Sequence, residues 1–177
     1  MPAALLPAFA ASAILLVIAG ASKIASPYMA QASLSTAGLP APLAGVRVLA
    51  LAEVAIGTAA LLEPSALTAG AAALAYGAFC LFTLRLLRVA DEGIDCGCFG
   101  GAGSEVSRIH VALNTVAFAV CAAAAAWPPH GPGWVFGRSP LTAIAVSIGI
   151  AAAAYASFLA FTVFPRAWQS YGKGAAS

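Results

Sequence analysis

The residues best suited to chemistry are two cysteines separated by one glycine, in the stretch 95–100, Asp-Cys-Gly-Cys-Phe-Gly. Two thiols at this spacing close a disulfide only by departing from unstrained geometry, and strained disulfides are easier to reduce. The pattern therefore predicts a redox pair formed by Cys96 and Cys98. Two alternatives stay open: small apolar residues in a turn, because cysteine prefers burial, and a metal site, although Cys-x-Cys supplies only two of a zinc site's four ligands.

The composition places these cysteines in a membrane protein. Of the 177 residues, 62% are hydrophobic and 8% charged, and the mean hydropathy is +0.96. This composition is typical of a protein embedded in a lipid bilayer, so membrane lipid is its expected environment. The net charge of +2 gives no electrostatic basis for binding nucleic acid. The length fits one transmembrane domain over residues 1–177.

Five apolar stretches are long enough to cross a bilayer as helices. They are predicted at about residues 3–22, 46–62, 66–87, 108–127 and 141–164. The first is expected to be a retained helix, because no basic residue precedes it as in a signal peptide. A short interfacial helix is predicted at 28–37, and the Cys-Gly-Cys loop at 88–107. The fold class is therefore an all-α membrane protein, a four-helix transmembrane bundle plus a fifth, C-terminal transmembrane helix.

Two of the ionisable residues within or at the end of these spans need an explanation. Glu53 lies about two turns into the second span, where a carboxylate is costly and normally has a partner or a function. A structural ion pair and a proton-handling role are both open for it. Lys23 closes the first span, either at the protein-facing edge of the membrane boundary or as a snorkelling anchor. A second anchor is expected after the fifth span, with Arg166, Trp168, Tyr171 and Lys173.

Polar side chains recur at helical spacing on the third and fourth spans. They are Tyr76, Cys80 and Thr83 on the third span and His110, Asn114 and Cys121 on the fourth. The two stripes are expected to pack against each other. Because Cys80 and Cys121 differ in depth by about 10 Å, beyond the ~7 Å Cα limit of a disulfide, they are predicted not to bond to each other.

These polar positions predict a pocket beneath the thiol pair, polar in character and open to a small redox cofactor. The candidate cofactor-binding residues are Lys23, Glu53, Tyr76, Cys80, Arg108, His110 and Asn114. Arginines near the thiols and the positive start of the fourth span would favour a thiolate. Asp95 would oppose it, and is expected to serve as a hydrogen-bonding turn residue or as a proton acceptor.

Between two membrane helices, the motif at 95–100 resembles that of the MauE family, small membrane proteins grouped with DoxX-like proteins. The resemblance covers about residues 10–127. Its further, weaker matches are Gly20 and Lys23, Gly38-Leu39-Pro40, Glu53 and Gly57, and Asn114. It implies a thiol-disulfide oxidoreductase with Cys96 and Cys98 as the redox pair. It also implies a thioredoxin-like partner or a secreted thiol protein outside the cytoplasm.

A wider analogy concerns the electron acceptor. Membrane thiol oxidoreductases of the vitamin K epoxide reductase and DsbB kinds pass electrons from cysteine pairs to a quinone in a four-helix bundle. They use Cys-x-x-Cys and a second cysteine pair in a loop, and this sequence has neither. Either a thioredoxin-like protein supplies the other pair, with a quinone as cofactor, or no quinone chemistry takes place.

Two other functions compete with the oxidoreductase. The first is a non-catalytic membrane anchor or maturation subunit whose disulfide is structural. The second is a membrane protein that binds a soft metal ion such as Cu(I) through Cys96, Cys98 and His110.

The side of the membrane is predicted differently by two arguments. With five spans, seven of the eight basic residues fall on the side of the thiol pair and only Arg138 opposite, so the positive-inside rule puts the pair at the cytoplasmic face. The family resemblance implies the outer face, where disulfides persist. We expect a multi-pass protein of the plasma (inner) membrane with the Cys-Gly-Cys loop outside, since several basic residues lie near the thiols and would serve the pocket rather than the topology.

Overall fold

The structure is a computed structural model that describes residues 2–89, 96–99, 105–165 and 167. Within these residues the chain forms seven helices. They are α1 (Pro2–Ala25), α2 (Pro27–Thr36), α3 (Leu43–Leu62), α4 (Ala66–Val89), α5 (Arg108–Ala126), α6 (Pro132–Phe136) and α7 (Pro140–Thr162). All but α2 and α6 are long and apolar enough to cross a membrane. The chain is an all-α, multi-pass membrane protein, which confirms the predicted fold class.

The observed helices begin and end within about three residues of the predicted spans, and α2 lies where the short interfacial helix is predicted. One difference is α6, in a stretch that reads as a loop because of its prolines and glycines. Pro132 stands in the first turn of α6, where proline's missing N–H costs nothing and its fixed φ suits a helix. The anchor predicted at Arg166, Trp168, Tyr171 and Lys173 lies outside the described residues.

The first helix is the centre of the bundle. It packs along α3 and also contacts α5 and α7, whereas α4 packs mainly on α5. The crossing of α1 and α3 depends on glycine: a Cβ atom at Gly57 would lie 2.7 Å from the Ala13 carbonyl oxygen, and one at Gly20 would lie 2.6 Å from that of Ala50. Small residues at such positions let two membrane helices approach closely. Side chains of α1 and α3 can therefore meet across a short gap.

The polar stripes of α4 and α5 meet in part as predicted. The Asn114 amide donates to the Thr83 hydroxyl at 3.5 Å, and the Cys80 sulfur lies 3.4 Å from the Thr115 hydroxyl. Tyr76 differs, because its hydroxyl donates to the backbone carbonyl of α1 at Ser12, at 2.6 Å. Helical spacing places Tyr76 on an inward face but does not determine which neighbouring helix it contacts. Here the backbone of α1 is near enough to accept the hydrogen bond.

Cys80 and Cys121 are both free thiols, as predicted. Cys121 is buried in the apolar core that α1, α3, α4 and α5 share.

The last helix, α7, brings aromatic side chains to the turn that contains the cysteine pair. The Phe99 ring lies 5.6 Å, centroid to centroid, from both Phe158 and Phe161 of α7. Leu15 and Ala19 of α1 belong to the same buried cluster. The cysteine turn is thus packed against α1 on one side and α7 on another.

Candidate functional site

Cys96 and Cys98 are joined by a disulfide, with their Cα atoms 5.4 Å apart. Gly97, between them, has a φ of +68°, in the left-handed region that glycine adopts without steric cost. The two cysteines that the motif predicts to act as a pair are thus bonded to each other. Asp95, for which a turn or proton-accepting role is predicted, lies outside the described residues.

The short helix α2 packs directly against Gly97 of this disulfide turn. A Cβ atom at Gly97 would lie 2.5 Å from the Ser33 hydroxyl oxygen and 3.1 Å from the Ala30 Cα atom, both in α2. Cys96 is accordingly only 1% exposed, whereas Cys98 is partly exposed. The two sulfurs therefore have different environments, which the symmetric Cys-Gly-Cys pattern does not predict.

Replacing Gly97 by alanine is expected to destabilise the turn and to loosen α2 over the disulfide. A left-handed backbone costs a residue with a Cβ about 1–2 kcal/mol, and the added methyl would displace Ser33. We expect a lower thermal midpoint in detergent and faster reduction of the disulfide by a water-soluble phosphine. The matched control is Gly70→Ala, where a Cβ meets nothing within 4 Å. A Gly97→Ala protein with unchanged midpoint and reduction rate would contradict this packing.

A buried ion pair lies beside the disulfide. The Lys23 ammonium donates to the Glu53 carboxylate at 2.8 Å and to the Cys98 backbone carbonyl at 2.9 Å. Lys23 is 5% exposed and Glu53 is 1% exposed. Lys23 is thus a protein-facing residue rather than a snorkelling anchor, and it is the ion-pair partner that the position of Glu53 calls for. The second carboxylate oxygen of Glu53 is buried without a hydrogen-bond partner among the described residues.

A cavity of about 240 Å³ lies against the disulfide. Its wall includes Cys96, Gly97 and Cys98 together with side chains of α1, α2, α3, α4, α5 and α7. Most of these are apolar, among them Leu15, Leu16, Leu34, Phe79, Phe82 and Phe161. A cavity therefore adjoins the thiol pair, but its wall is largely apolar where the sequence predicts a polar pocket.

The cavity wall is less polar than predicted because the polar side chains are hydrogen-bonded to other parts of the protein. Of the predicted cofactor-binding residues, Lys23, Tyr76 and Asn114 line the cavity. The Tyr76 hydroxyl is bound to the α1 backbone and the Asn114 amide to Thr83. The carboxylate of Glu53 is held by Lys23 and is not part of the cavity wall. Polar groups that bind one another leave apolar atoms to face the cavity.

The other predicted binding residues lie away from the cavity wall. The Cys80 sulfur faces Thr115 on α5. The His110 ring contacts the Ser107 hydroxyl at 3.0 Å and the Phe161 backbone, so it links α5 to α7. Arg108 is exposed and lines a separate surface depression.

Phe161 and the residues of α2 are cavity components that the sequence pattern does not single out. Phe161 belongs to an evenly apolar helix, and nothing in its spacing distinguishes it from its neighbours. Phe99, whose ring supports Phe161, stands inside the motif and is the one signal that could have marked this contact.

Metal binding has no ready site in the part of the chain that the structure describes. No group of three or more His, Cys, Asp or Glu side chains there is arranged to hold a metal ion. What the arrangement can do chemically is thiol-disulfide exchange, because a disulfide can be opened by an attacking thiolate and reformed. A fixed ammonium beside it would favour a sulfur anion.

Comparison with known proteins places the chain in one family. No curated protein and no solved structure matches the chain. A family profile, described as methylamine utilisation protein MauE, matches residues 1–128. The matched part contains α1 to α5 and the disulfide, while α6 and α7 lie beyond it. Because the match covers more than half of the chain, this multi-pass membrane protein with its Cys96–Cys98 pair belongs to the MauE family.

Proposed function

We propose that the chain is a membrane thiol-disulfide oxidoreductase whose Cys96–Cys98 disulfide takes two electrons from a thioredoxin-like protein or a secreted thiol protein. The partner's two thiols become a disulfide while the Cys96–Cys98 bond is reduced to two thiols. The observation that carries this proposal is the disulfide in the wall of a cavity, beside a buried ammonium. A bridge that served stability alone would need neither feature.

We further propose a membrane quinone as the onward acceptor, because the cavity fits a small planar group. Its volume, about 240 Å³, lies just below the ~300–1,000 Å³ typical of sites for drug-sized ligands. Its apolar wall suits a ring, and the N–H donors that the Lys23 ammonium and the Asn114 amide have left after their existing hydrogen bonds could hold a carbonyl oxygen. A bound quinone would supply a two-electron, two-proton acceptor for the dithiol.

The shape of the cavity suits a ligand that comes from the lipid. Leu49 of α3 and Ala78 and Phe82 of α4 belong to its wall, and these two helices contact each other less extensively than α1 contacts α3. Ala78 is exposed and the other two are half-buried. We infer an opening between α3 and α4, through which an apolar tail can stay in the bilayer while the ring lies near the disulfide.

A liposome assay tests the proposed function. The full chain is incorporated into liposomes with a short-chain quinone, and a reduced thioredoxin is added outside. We expect loss of thioredoxin thiols and formation of quinol in equal amounts, dependent on both the protein and the quinone. Turnover no faster than in empty liposomes contradicts the oxidoreductase. Thiol loss without quinol contradicts only the quinone.

The cysteine pair is proposed to face outward across the plasma membrane. Two basic residues that enter the positive-inside count have local partners: Lys23 pairs with Glu53, and the Arg85 guanidinium donates to the Ala37 carbonyl. Charges held in this way are weaker evidence about topology. After reduction of intact cells, a membrane-impermeant maleimide should label Cys98 without permeabilisation. Labelling that requires permeabilisation would instead place the pair in the cytoplasm.

One observation favours a second candidate, a membrane anchor or maturation subunit with a structural disulfide. Cys96 is nearly inaccessible and α2 packs over Gly97, as expected of a bridge that is formed once and kept. The two candidates differ in how easily the disulfide is reduced, since structural bridges resist reduction by the glutathione pool and catalytic ones do not.

A further inference from the structure

We propose that Lys23 makes Cys98 the exchanging cysteine of the pair, as the positioning residue whose ammonium is the counter-charge for the Cys98 thiolate. The inference rests on the proposed thiol-disulfide exchange and assigns different roles to its two sulfurs.

The first support is the location of the charge. The Lys23 ammonium donates a hydrogen bond to the backbone carbonyl of Cys98, at 2.9 Å. The charge therefore lies next to the residue that carries the sulfur. It is almost fully buried, and the Phe79 ring lies 5.4 Å from it. Charges act more strongly on one another where water is excluded. A sulfur anion at Cys98 would therefore be stabilised more than one at the protein surface.

The second support is that the ammonium is held in place from two sides. Gly20, one helical turn before Lys23, lets α1 approach α3 until a Cβ atom there would lie 3.0 Å from the Glu53 Cβ. Glu53 then binds the ammonium at 2.8 Å. While the cysteines are oxidised, the carboxylate compensates the buried charge. When Cys98 becomes an anion, the same ammonium can serve both partners without moving along the helix.

The third support is the unequal exposure of the two cysteines. Cys96 is 1% exposed, beside Gly97, against which α2 packs, whereas Cys98 is partly exposed. An incoming thiolate reaches the more accessible sulfur more readily, and exchange is faster when the departing sulfur is the more stable anion. Access therefore selects Cys98 for the partner's attack, and the Lys23 charge favours Cys98 as the sulfur that departs from the mixed disulfide in the second step.

The exchange then proceeds in two balanced steps. A partner thiolate attacks the Cys98 sulfur, the Cys96–Cys98 bond breaks, and Cys96 leaves with the electron pair and takes up a proton. The partner's second thiolate then attacks the partner's first sulfur, which is bonded to Cys98 in the mixed disulfide. The partner's disulfide forms, and Cys98 departs as a thiolate beside Lys23. The partner is thereby oxidised by two electrons and the cysteine pair is reduced by two.

Alkylation of the reduced protein by iodoacetamide across a pH series tests this assignment. Peptide mass spectrometry follows each cysteine separately, so Cys80 and Cys121 need no replacement. We expect the midpoint of the pH–rate profile to lie about one unit or more lower for Cys98 than for Cys96, as for thiols beside a lysine. Burial of Cys96 alone would slow its reaction but would not shift the Cys98 midpoint when Lys23 is replaced.

Variants separate the charge from the fold. Lys23→Met should raise the Cys98 midpoint to that of Cys96, and Lys23→Arg should largely keep it low. The double variant Lys23→Met/Glu53→Leu should behave like Lys23→Met while leaving no unpaired buried charge. Arg138→Met, which removes a charge stacked on Trp134 in the connection between α6 and α7, is the matched control and should change nothing.

A Cys98 midpoint equal to that of Cys96, or one unmoved in both the single and the double variant, overturns the assignment. This readout needs neither a protein partner nor a quinone. A low Cys98 midpoint in a protein without turnover would therefore contradict only the proposed function. Turnover without the Lys23-dependent midpoint would contradict only the role given to Lys23.

Discussion

Replacing either Cys96 or Cys98 by serine is expected to stop thiol oxidation, lowering turnover at least about a hundredfold, because covalent exchange requires its sulfur nucleophile. Neither sulfur can be replaced by the other, since the two together store the electron pair that the partner gives up. The measurement is the rate at which a reduced thiol protein is oxidised in liposomes that contain the full chain. Expression and detergent behaviour should stay close to those of the unchanged protein, because a short disulfide loop constrains little of the chain.

Cys80→Ser is the matched control for these variants. Its sulfur contacts the Thr115 hydroxyl away from the cavity, and a serine hydroxyl can make the same contact. Turnover should stay within about twofold of the normal rate, because the substitution keeps the contact and lies away from the cavity. If the Cys96 and Cys98 variants both kept more than half of the normal rate, the cysteine pair would not be the redox centre.

Replacing Glu53 by leucine is expected to destabilise the folded protein by about 3–5 kcal/mol, because removing one partner of a buried pair leaves the other charge uncompensated. Among the described residues, Lys23 would then keep the Cys98 carbonyl and the Phe79 ring as neighbours for its charge. The free energy of unfolding can be measured by titration with sodium dodecyl sulfate in mixed micelles. The free energy of unfolding of Glu53→Gln should lie between those of the unchanged protein and Glu53→Leu, since the glutamine amide oxygen can still accept a hydrogen bond.

The double variant Lys23→Met/Glu53→Leu gives this prediction its control. Buried pairs replaced by apolar residues of similar size often lose little stability, so we expect most of the free energy to return. Turnover should not return with it, because the methionine carries no charge to stabilise the Cys98 thiolate. A Glu53→Leu protein as stable as the unchanged one would show that the ion pair does not hold α1 to α3.

The spans could be predicted from the sequence because lipid leaves few alternatives. A backbone without water must satisfy its own hydrogen bonds, so an apolar run such as 66–87 becomes a helix along its whole length. The short helix α6 lies outside this logic, because it is too short and too rich in proline and glycine for periodicity to indicate it.

The site could be predicted less well, because helical spacing fixes a face but not a neighbour. Glu53 reads as a residue in need of a partner, and Lys23 as one of two kinds of boundary residue; only the close crossing at Gly20 shows that they meet. Their pairing removes a carboxylate from the cavity wall. This is the physical reason that the predicted polar pocket is largely apolar.

Contacts from separate parts of the chain were beyond sequence reasoning altogether. The cover of α2 over Gly97 depends on how the first loop folds back across the bundle. The closure of the cavity by Phe161 depends on α7, which lies outside the part that matches the family. Ala30 and Ser33 of α2, which contact Gly97, are small, and Phe161 lies in a helix that is apolar on all sides. No local sequence pattern therefore distinguishes either contact.

The midpoint potential of the Cys96–Cys98 pair distinguishes a redox centre from a permanent bridge. Purified full-length protein is equilibrated with graded glutathione and dithiothreitol buffers, and the reduced fraction is read from maleimide mass shifts on the peptide that contains both cysteines. For a redox centre we expect a midpoint at or above about −270 mV, in the range of known exchange proteins. A pair that stays oxidised below about −300 mV, as structural disulfides do, would contradict it.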